Sequence, residues 1–188
     1  VSIHHIDQLV SPYYRGLLNQ MHENFEWGIG GPRHIKNFID HLNSLPIATF
    51  LDYGCGKGRL KHSLLAVDPS LQIGMFDPGN PKLDTLPAPA DFVVALSCLE
   101  NIEPDRVVNV LSHIDSLMKI GGYFHITTRS GYKNDLPDGR NEHLSVHEPE
   151  WWLDMIGGFH QFEWRISKHN AIPGKALQVW LTKPGYNR

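Results

Sequence analysis

The segment FLDYGCGKG at 50–58 constrains the fold most. A short apolar run stops at Gly54, Gly56 and Gly58, and a helical pattern begins at Arg59. Glycines between a strand and a helix make a tight turn that a ligand can approach without meeting a Cβ. In an open α/β sheet such a ligand lies outside the carboxyl ends of the strands. The spacing separates the classes of ligand. A dinucleotide fingerprint on Gly54 and Gly56 needs glycine at 59, where Arg59 stands. A phosphate loop on Gly56-Lys57 needs glycine at 51 and a hydroxyl residue at 58, which are Leu51 and Gly58. The pattern that fits is D-x-G-x-G-x-G, with Asp77 nineteen positions after Gly58. A carboxylate ending the second strand accepts from both hydroxyls of a ribose. Asp52, ending the first strand, either orients the turn or receives an ammonium group. Such a ligand has no pyrophosphate, which suits an acidic site.

Around this turn, strand and helix patterns alternate. Ser11-Pro12 is an N-cap followed by proline at the first helical position, and Tyr14, Leu17, Leu18 and Met21 follow at helical spacing. Residues 27–32 (WGIGGP) break that helix, and Ile35, Phe38, Ile39 and Leu42 mark a second. Strands are expected at 48–53, 71–76, 92–97 and 123–128, with helices at 59–67 and 107–118. Gly121-Gly122 is expected to close the second of these helices. Another helix runs from Pro149 to Gly157-Gly158. Phe162, Trp164 and Ile166 alternate, as do Leu177, Val179 and Leu181. Joined across Pro173-Gly174, these runs predict an antiparallel pair. The pattern predicts an α/β fold, a mostly parallel sheet ending in an antiparallel hairpin.

One connection breaks the rhythm. Thirteen residues separate Asp77 from Asp91, and four are proline (Pro78, Pro81, Pro87, Pro89). No helix fits. A bare loop of that length reaches ~45 Å. The crossover needs ~17–20 Å along a strand plus about two strand spacings of ~4.8 Å. One strand–helix unit is therefore expected to be lost or vestigial.

The chain of 188 residues suits one domain, and 41% hydrophobic residues exclude a disordered chain. Seventeen Lys+Arg against twenty Asp+Glu leave no bulk basic field, so nucleic acid is disfavoured as a partner. No apolar run is long enough to span a membrane, and 1–10 lacks the apolar core of a signal peptide. Cys55 and Cys98 cannot make a disulfide framework. A reduced, cytoplasmic protein is the expectation.

At these residues the sequence resembles the class I S-adenosylmethionine-dependent methyltransferases. LDYGCGKG is similar to their first motif and MFDPG to their second. DFVVALSCLENIEPD resembles the strand and loop after the fourth motif, and GGYFHITT the strand that follows. The likeness covers about 45–129. The flanks, LPDGRNEHL and YRGLLNQMHENFEWGIGG, resemble an uncharacterised phage and marine-bacterial branch. The resemblance implies a Rossmann-like class I methyltransferase sheet without its third strand. It also implies S-adenosyl-L-methionine as cofactor and a single domain over 1–188 with a helical cover at 1–45. Cofactor contacts carried over are Asp52, Gly54, Cys55, Gly56, Gly58, Asp77, Pro78, Ser97, Cys98 and Leu99. In relatives the first helix and turn, here Tyr14, His22 and Trp27, fold over the cofactor. Packing on the sheet is the simpler account. The chain departs from the family where the prolines remove the acidic residue that often meets the adenine. Asp84 is the nearest substitute, more simply a solvated loop residue. Asn101 replaces a common histidine, so no metal is expected. The D/N-P-P-[YF] signature is missing, which disfavours adenine methylation in DNA.

A small-molecule methyl acceptor is expected at the loop 129–147, whose nineteen residues are long enough for a binding lid. His143 is the candidate base, since a histidine titrates near neutral pH. Arg140 and Asn141 are candidate acceptor contacts. A salt bridge from Arg140 to Asp138 competes with that role. His143 and His147 lack a third ligand in register, which argues against zinc. One of Trp151 and Trp152 belongs to the core. The alternative functions are a noncatalytic module that keeps the fold and, as a subordinate third reading, a nucleic-acid methyltransferase, which needs a local Lys/Arg surface.

Overall fold

Six strands form one sheet because the chain supplies short apolar runs separated by turns and helices. In the computed structural model the strands are β1 (Thr49–Tyr53), β2 (Gln72–Phe76), β3 (Ala90–Leu96), β4 (Met118–Thr127), β5 (Arg165–Ile172) and β6 (Ala176–Thr182). The helices described are α1 (Pro12–Glu23), α2 (Arg59–Leu65), α3 (Val107–Leu117) and α4 (Pro149–Gly157). The structure describes residues 5–23, 27–28, 42, 45–129, 135–158, 165–172 and 175–186. The expected second helix over 35–42, the alternation at Phe162 and Trp164 and the turn at Pro173-Gly174 lie outside these residues, Leu42 apart.

The strand order is β2-β1-β3-β4-β6-β5. The first four strands are parallel and the last two join antiparallel, the mixed sheet that the sequence predicts. β3 returns directly to the far side of β1, so β2 is a sheet edge. Turns and irregular backbone fill the proline-rich connection, which lacks the helix of an ordinary crossover.

Parallel strands buried on both faces need apolar residues at both parities. In β3, Phe92 and Val94 pack with Phe50, Leu60, Leu64 and Tyr123 on one face. Val93 and Ala95 pack with Leu51, Tyr53, Phe124 and the helical Val110, Ile114 and Trp152 on the other. Trp152 is fully buried, while Trp151 stacks on His147 with ring centroids 3.7 Å apart. Ser11 caps α1, its Oγ accepting from Tyr14 N at 3.1 Å.

Gly121-Gly122 does not close α3. The helix ends at Leu117 and β4 begins at once with Met118. Both glycines are strand residues, paired with Phe92 and Val93 on one side and Thr182 and Leu181 on the other. A Cβ at Gly121 would strike the Leu181 carbonyl oxygen, and one at Gly122 would lie 2.6 Å from Met118 Sδ. Close strand approach, not helix termination, demands glycine there.

Candidate active site

The glycine turn sits at the carboxyl edge shared by β1 to β4. Gly54 N and Cys55 N both donate to the Phe76 carbonyl, at 2.8 and 3.1 Å, which fastens the turn to the end of β2. Gly54, Gly56 and Gly58 have φ of +69°, +56° and +74°, a region that favours glycine. Asp77 stands at the mouth of this turn. Its Oδ2 accepts from Gly56 N at 2.8 Å and its Oδ1 from Gly79 N at 2.9 Å. Asn80 Nδ2 donates to the Gly56 carbonyl at 3.0 Å, and the preceding Pro78 is half-buried. The loop after β2 is thus built around Asp77.

A second carboxylate lies close by. Asp52 is 4% exposed, and burial followed by the charge of Asp77 raises its pKa from 3.8 to about 7. Two buried acids that repel each other favour a cation between them. Each Asp77 oxygen accepts one backbone N–H and retains a lone pair, so ribose hydroxyls have acceptors. The donor set therefore fits an adenosyl sulfonium.

The turn's own packing also bears on the fit. Gly28 lies against Gly56. Lys57 N donates to the Gly28 carbonyl at 2.8 Å, and a Cβ at Gly56 would strike that oxygen. A Cβ at Gly54 would lie 2.5 Å from Cys98 Cβ, and one at Gly58 would lie 2.6 Å from Met75 Sδ. His22 Nε2 lies 3.5 Å from Asp77 Oδ1, and its ring meets Trp27 edge-on at 4.5 Å. Trp27 Nε1 donates to Glu142 Oε2 at 2.5 Å. The end of α1 and the turn at 27–28 thus cover the mouth and join it to the loop after β4. The glycines at 54 and 56 make room for the chain itself.

Ser97, Cys98 and Leu99 follow β3. Ser97 is exposed and has φ +50°. Cys98 Sγ donates to the Tyr53 carbonyl at 3.3 Å, and burial raises its pKa. Leu99 is fully buried in the core. Cys55 is also buried, and burial followed by the charges of Asp52 and Asp77 pushes its thiol pKa up.

In the loop after β4, Arg140 Nε donates to Asp138 Oδ2 at 2.8 Å, and its guanidinium carbon lies 6.0 Å from the Tyr13 ring centroid. Asn141 Oδ1 accepts from His143 N at 2.9 Å. The His143 side chain is 9% exposed, with Nδ1 3.4 Å from the Arg129 carbonyl oxygen and Nε2 3.9 Å from Glu142 Oε1. Glu100 is fully buried beside this loop. Its Oε1 accepts from Thr127 N at 3.1 Å and its carbonyl from Ser145 N at 2.8 Å. Burial raises the Glu100 pKa. Asp84 forms an ion pair with Arg15 of α1, so it is not a free loop residue.

Sequence reasoning does not select Gly28, Glu100 or His125 as site residues, and it names His22 only within the helix and turn that fold over the cofactor in relatives. Glu100 was visible only as one acid among twenty, and Gly28 only as a helix breaker. His125 sits on β4 opposite Leu96, with Nδ1 3.0 Å from Ser97 Oγ. Among the described residues no cluster of His, Cys, Asp and Glu is arranged to hold a metal. No described helix is long and apolar enough to cross a membrane.

No family model and no curated protein matches the sequence. Solved structures do match the fold. The Burkholderia thailandensis 1,6-didemethyltoxoflavin-N1-methyltransferase, with bound 1,6-didemethyltoxoflavin and S-adenosylhomocysteine, is 16% identical with a TM-score of 0.60, over 97% of this chain and 93% of that one. The N-methyltransferase NodS from Bradyrhizobium japonicum WM9, in complex with S-adenosyl-l-homocysteine, is 12% identical with a TM-score of 0.59, over 90% and 98%. The mitomycin 7-O-methyltransferase MmcR is 14% identical with a TM-score of 0.54, and the chain spans about half (54%) of that enzyme's length. The fold is that of the S-adenosylmethionine-dependent methyltransferases.

Proposed function

We propose that this chain is an S-adenosylmethionine-dependent methyltransferase acting on a small-molecule acceptor in the cytoplasm. The observation that carries this reading is the Asp77 carboxylate, fixed by Gly56 N and Gly79 N at the mouth of the glycine turn and facing a second buried acid, Asp52. When bound, the cofactor supplies an electrophilic methyl group on a sulfonium. The chain positions the acceptor and excludes water, an effect worth up to ~7–11 kcal/mol. Asp77 holds the ribose, Asp52 faces the cationic end, and the backbone at Gly54, Cys55 and Gly56 lies along the methionine part. Gly58, Pro78, Ser97, Cys98 and Leu99 shape the surrounding wall, Leu99 from within the core. Arg140, Asn141 and His143 belong to the acceptor loop of 129–147, within a single domain spanning 1–188. The mouth is covered by Gly28 and His22, so ligand entry requires displacement of 27–28 from Gly56.

Calorimetry with S-adenosylhomocysteine tests this reading. One-to-one binding is expected, weakened at least about tenfold in Asp77→Asn, the loss of roughly one charge-assisted hydrogen bond. Absence of binding at millimolar ligand contradicts it. A second reading, a noncatalytic module on the same fold, is favoured by one observation: the chain's own Gly28 and Cys98 fill the space beside Gly56 and Gly54. That module predicts no binding of S-adenosylhomocysteine at millimolar ligand.

A further inference from the structure

Ser97, which the cofactor reading uses only as part of the wall, pairs with His125 at the carboxyl edge of the sheet. β3 and β4 run parallel to β1, so their ends open on the same side as the glycine turn. In the pleat of β4, His125 shares a face with Tyr123, which packs with Phe50 of β1. Asp52 shares the face of Phe50 for the same reason. His125 and Asp52 therefore stand on one face and at one edge, two strands apart.

The pair is also held under strain. Ser97 has the only positive φ outside glycine among the described residues, +50°. A non-glycine residue in that region is strained and persists where its surroundings enforce it. Here Ser97 N donates to the His125 carbonyl at 2.8 Å and Ser97 Oγ lies 3.0 Å from His125 Nδ1. No hydrogen bond among the described residues engages His125 Nε2. Burial lowers the His125 pKa, which keeps the ring neutral near pH 7.

We propose that His125 Nε2 accepts the proton from the methyl acceptor, a hydroxyl or ammonium group, with Ser97 as the positioning residue that receives the Nδ1 proton in a hydrogen bond. The assignment rests on the reading of the glycine turn as a sulfonium site. In the step, an ammonium first gives its proton to Nε2 to free its lone pair, whereas a hydroxyl gives it during the attack; that lone pair forms a bond to the methyl carbon as the carbon–sulfur bond breaks. The electron pair leaves on the thioether sulfur, and the heteroatom's proton passes to Nε2. Because Nδ1 carries the ring proton, Nε2 holds the free lone pair that a base requires. His143, with Nδ1 and Nε2 both directed at groups of its own loop, is then a loop-ordering residue.

Nitrogen-15 NMR of the imidazoles tests this on the full chain, with His125→Gln identifying the resonance. In the free wild-type protein His125 is expected with its proton on Nδ1, and Ser97→Ala is expected to shift the tautomer toward Nε2–H. A wild-type ring protonated on Nε2 overturns the proposal. Titrations with S-adenosylmethionine and with S-adenosylhomocysteine then compare a cation with a neutral thioether. The His125 pKa is expected lower with the sulfonium by about one pH unit, the effect of a unit charge about 10 Å away at an effective dielectric of about 20. If both ligands bind and His125 titrates identically, or His143 shifts more, this assignment falls and the cofactor reading stands. If neither ligand binds, both fall.

Discussion

Asp52→Asn separates the cost of a buried charge from the ordinary cost of a mutation. In the folded protein the Asp52 carboxyl has its pKa raised from 3.8 to about 7, first by burial and then by Asp77. The folded state therefore holds this proton more tightly than the unfolded state does. Between pH 3.8 and 7 the folded chain binds more protons, so this group makes stability fall as pH rises through that window. Above pH 7 the loss is complete. A gap of roughly three pH units corresponds to about 4 kcal/mol at 1.36 kcal/mol each. Asparagine has nearly the same size and no charge, so it removes that slope. Urea unfolding followed by tryptophan fluorescence measures wild type and variant at pH 4.5 and pH 8. The variant's stability relative to wild type is expected to improve between the two pH values by at least about 1 kcal/mol and at most about 4. Because both proteins share every other titrating group, those groups largely cancel. A difference that is the same at both pH values, or that worsens at pH 8, refutes the argument that Asp52 is ionised at a cost in the folded protein.

Two further perturbations follow from the same geometry. His113 of α3 is buried with Nδ1 3.0 Å from Tyr53 Oη, and burial lowers its pKa from 6.5 to about 4. A depressed histidine pKa means stability is lost as pH falls from 6.5 to 4, so His113→Gln flattens that limb in thermal unfolding; an unchanged limb contradicts it. At the turn, Gly54→Ala places a Cβ against Cys98 and forces alanine to φ +69°, which destabilises by roughly 1–3 kcal/mol. Cys98→Gly removes the contact and leaves the backbone strain, so the double mutant is less destabilised than the sum of the single changes. Strict additivity in the cycle removes the claim that Cys98 fills the space at Gly54.

Much of the sheet is legible in the sequence because parallel strands leave dense apolar runs and glycines mark their ends. The loss of a strand–helix unit follows from four prolines in thirteen residues, which bar a helix, and the edge position of β2 is its consequence. Gly121-Gly122 misleads because glycine after a helical run marks a helix end and a close strand approach alike. Only the third dimension, where Leu181 and Val93 press on both glycines, distinguishes them. At the site, Asp77 is legible from its spacing after Gly58. Gly28 resting on Gly56, His22 beside Asp77 and Ser97 bonded to His125 are contacts between residues 28 or more positions apart. No local period encodes them. His143 drew notice because it lies in a long polar loop, whereas His125 is hidden inside a strand pattern.

A crystal structure of the full chain grown with S-adenosylhomocysteine tests the central claim most directly. The account predicts a nucleoside whose ribose hydroxyls meet the Asp77 carboxylate, with the Gly28 carbonyl drawn away from Lys57 N. A ligand bound elsewhere, or a turn still closed by Gly28 with Asp77 engaged only by Gly56 and Gly79, contradicts it.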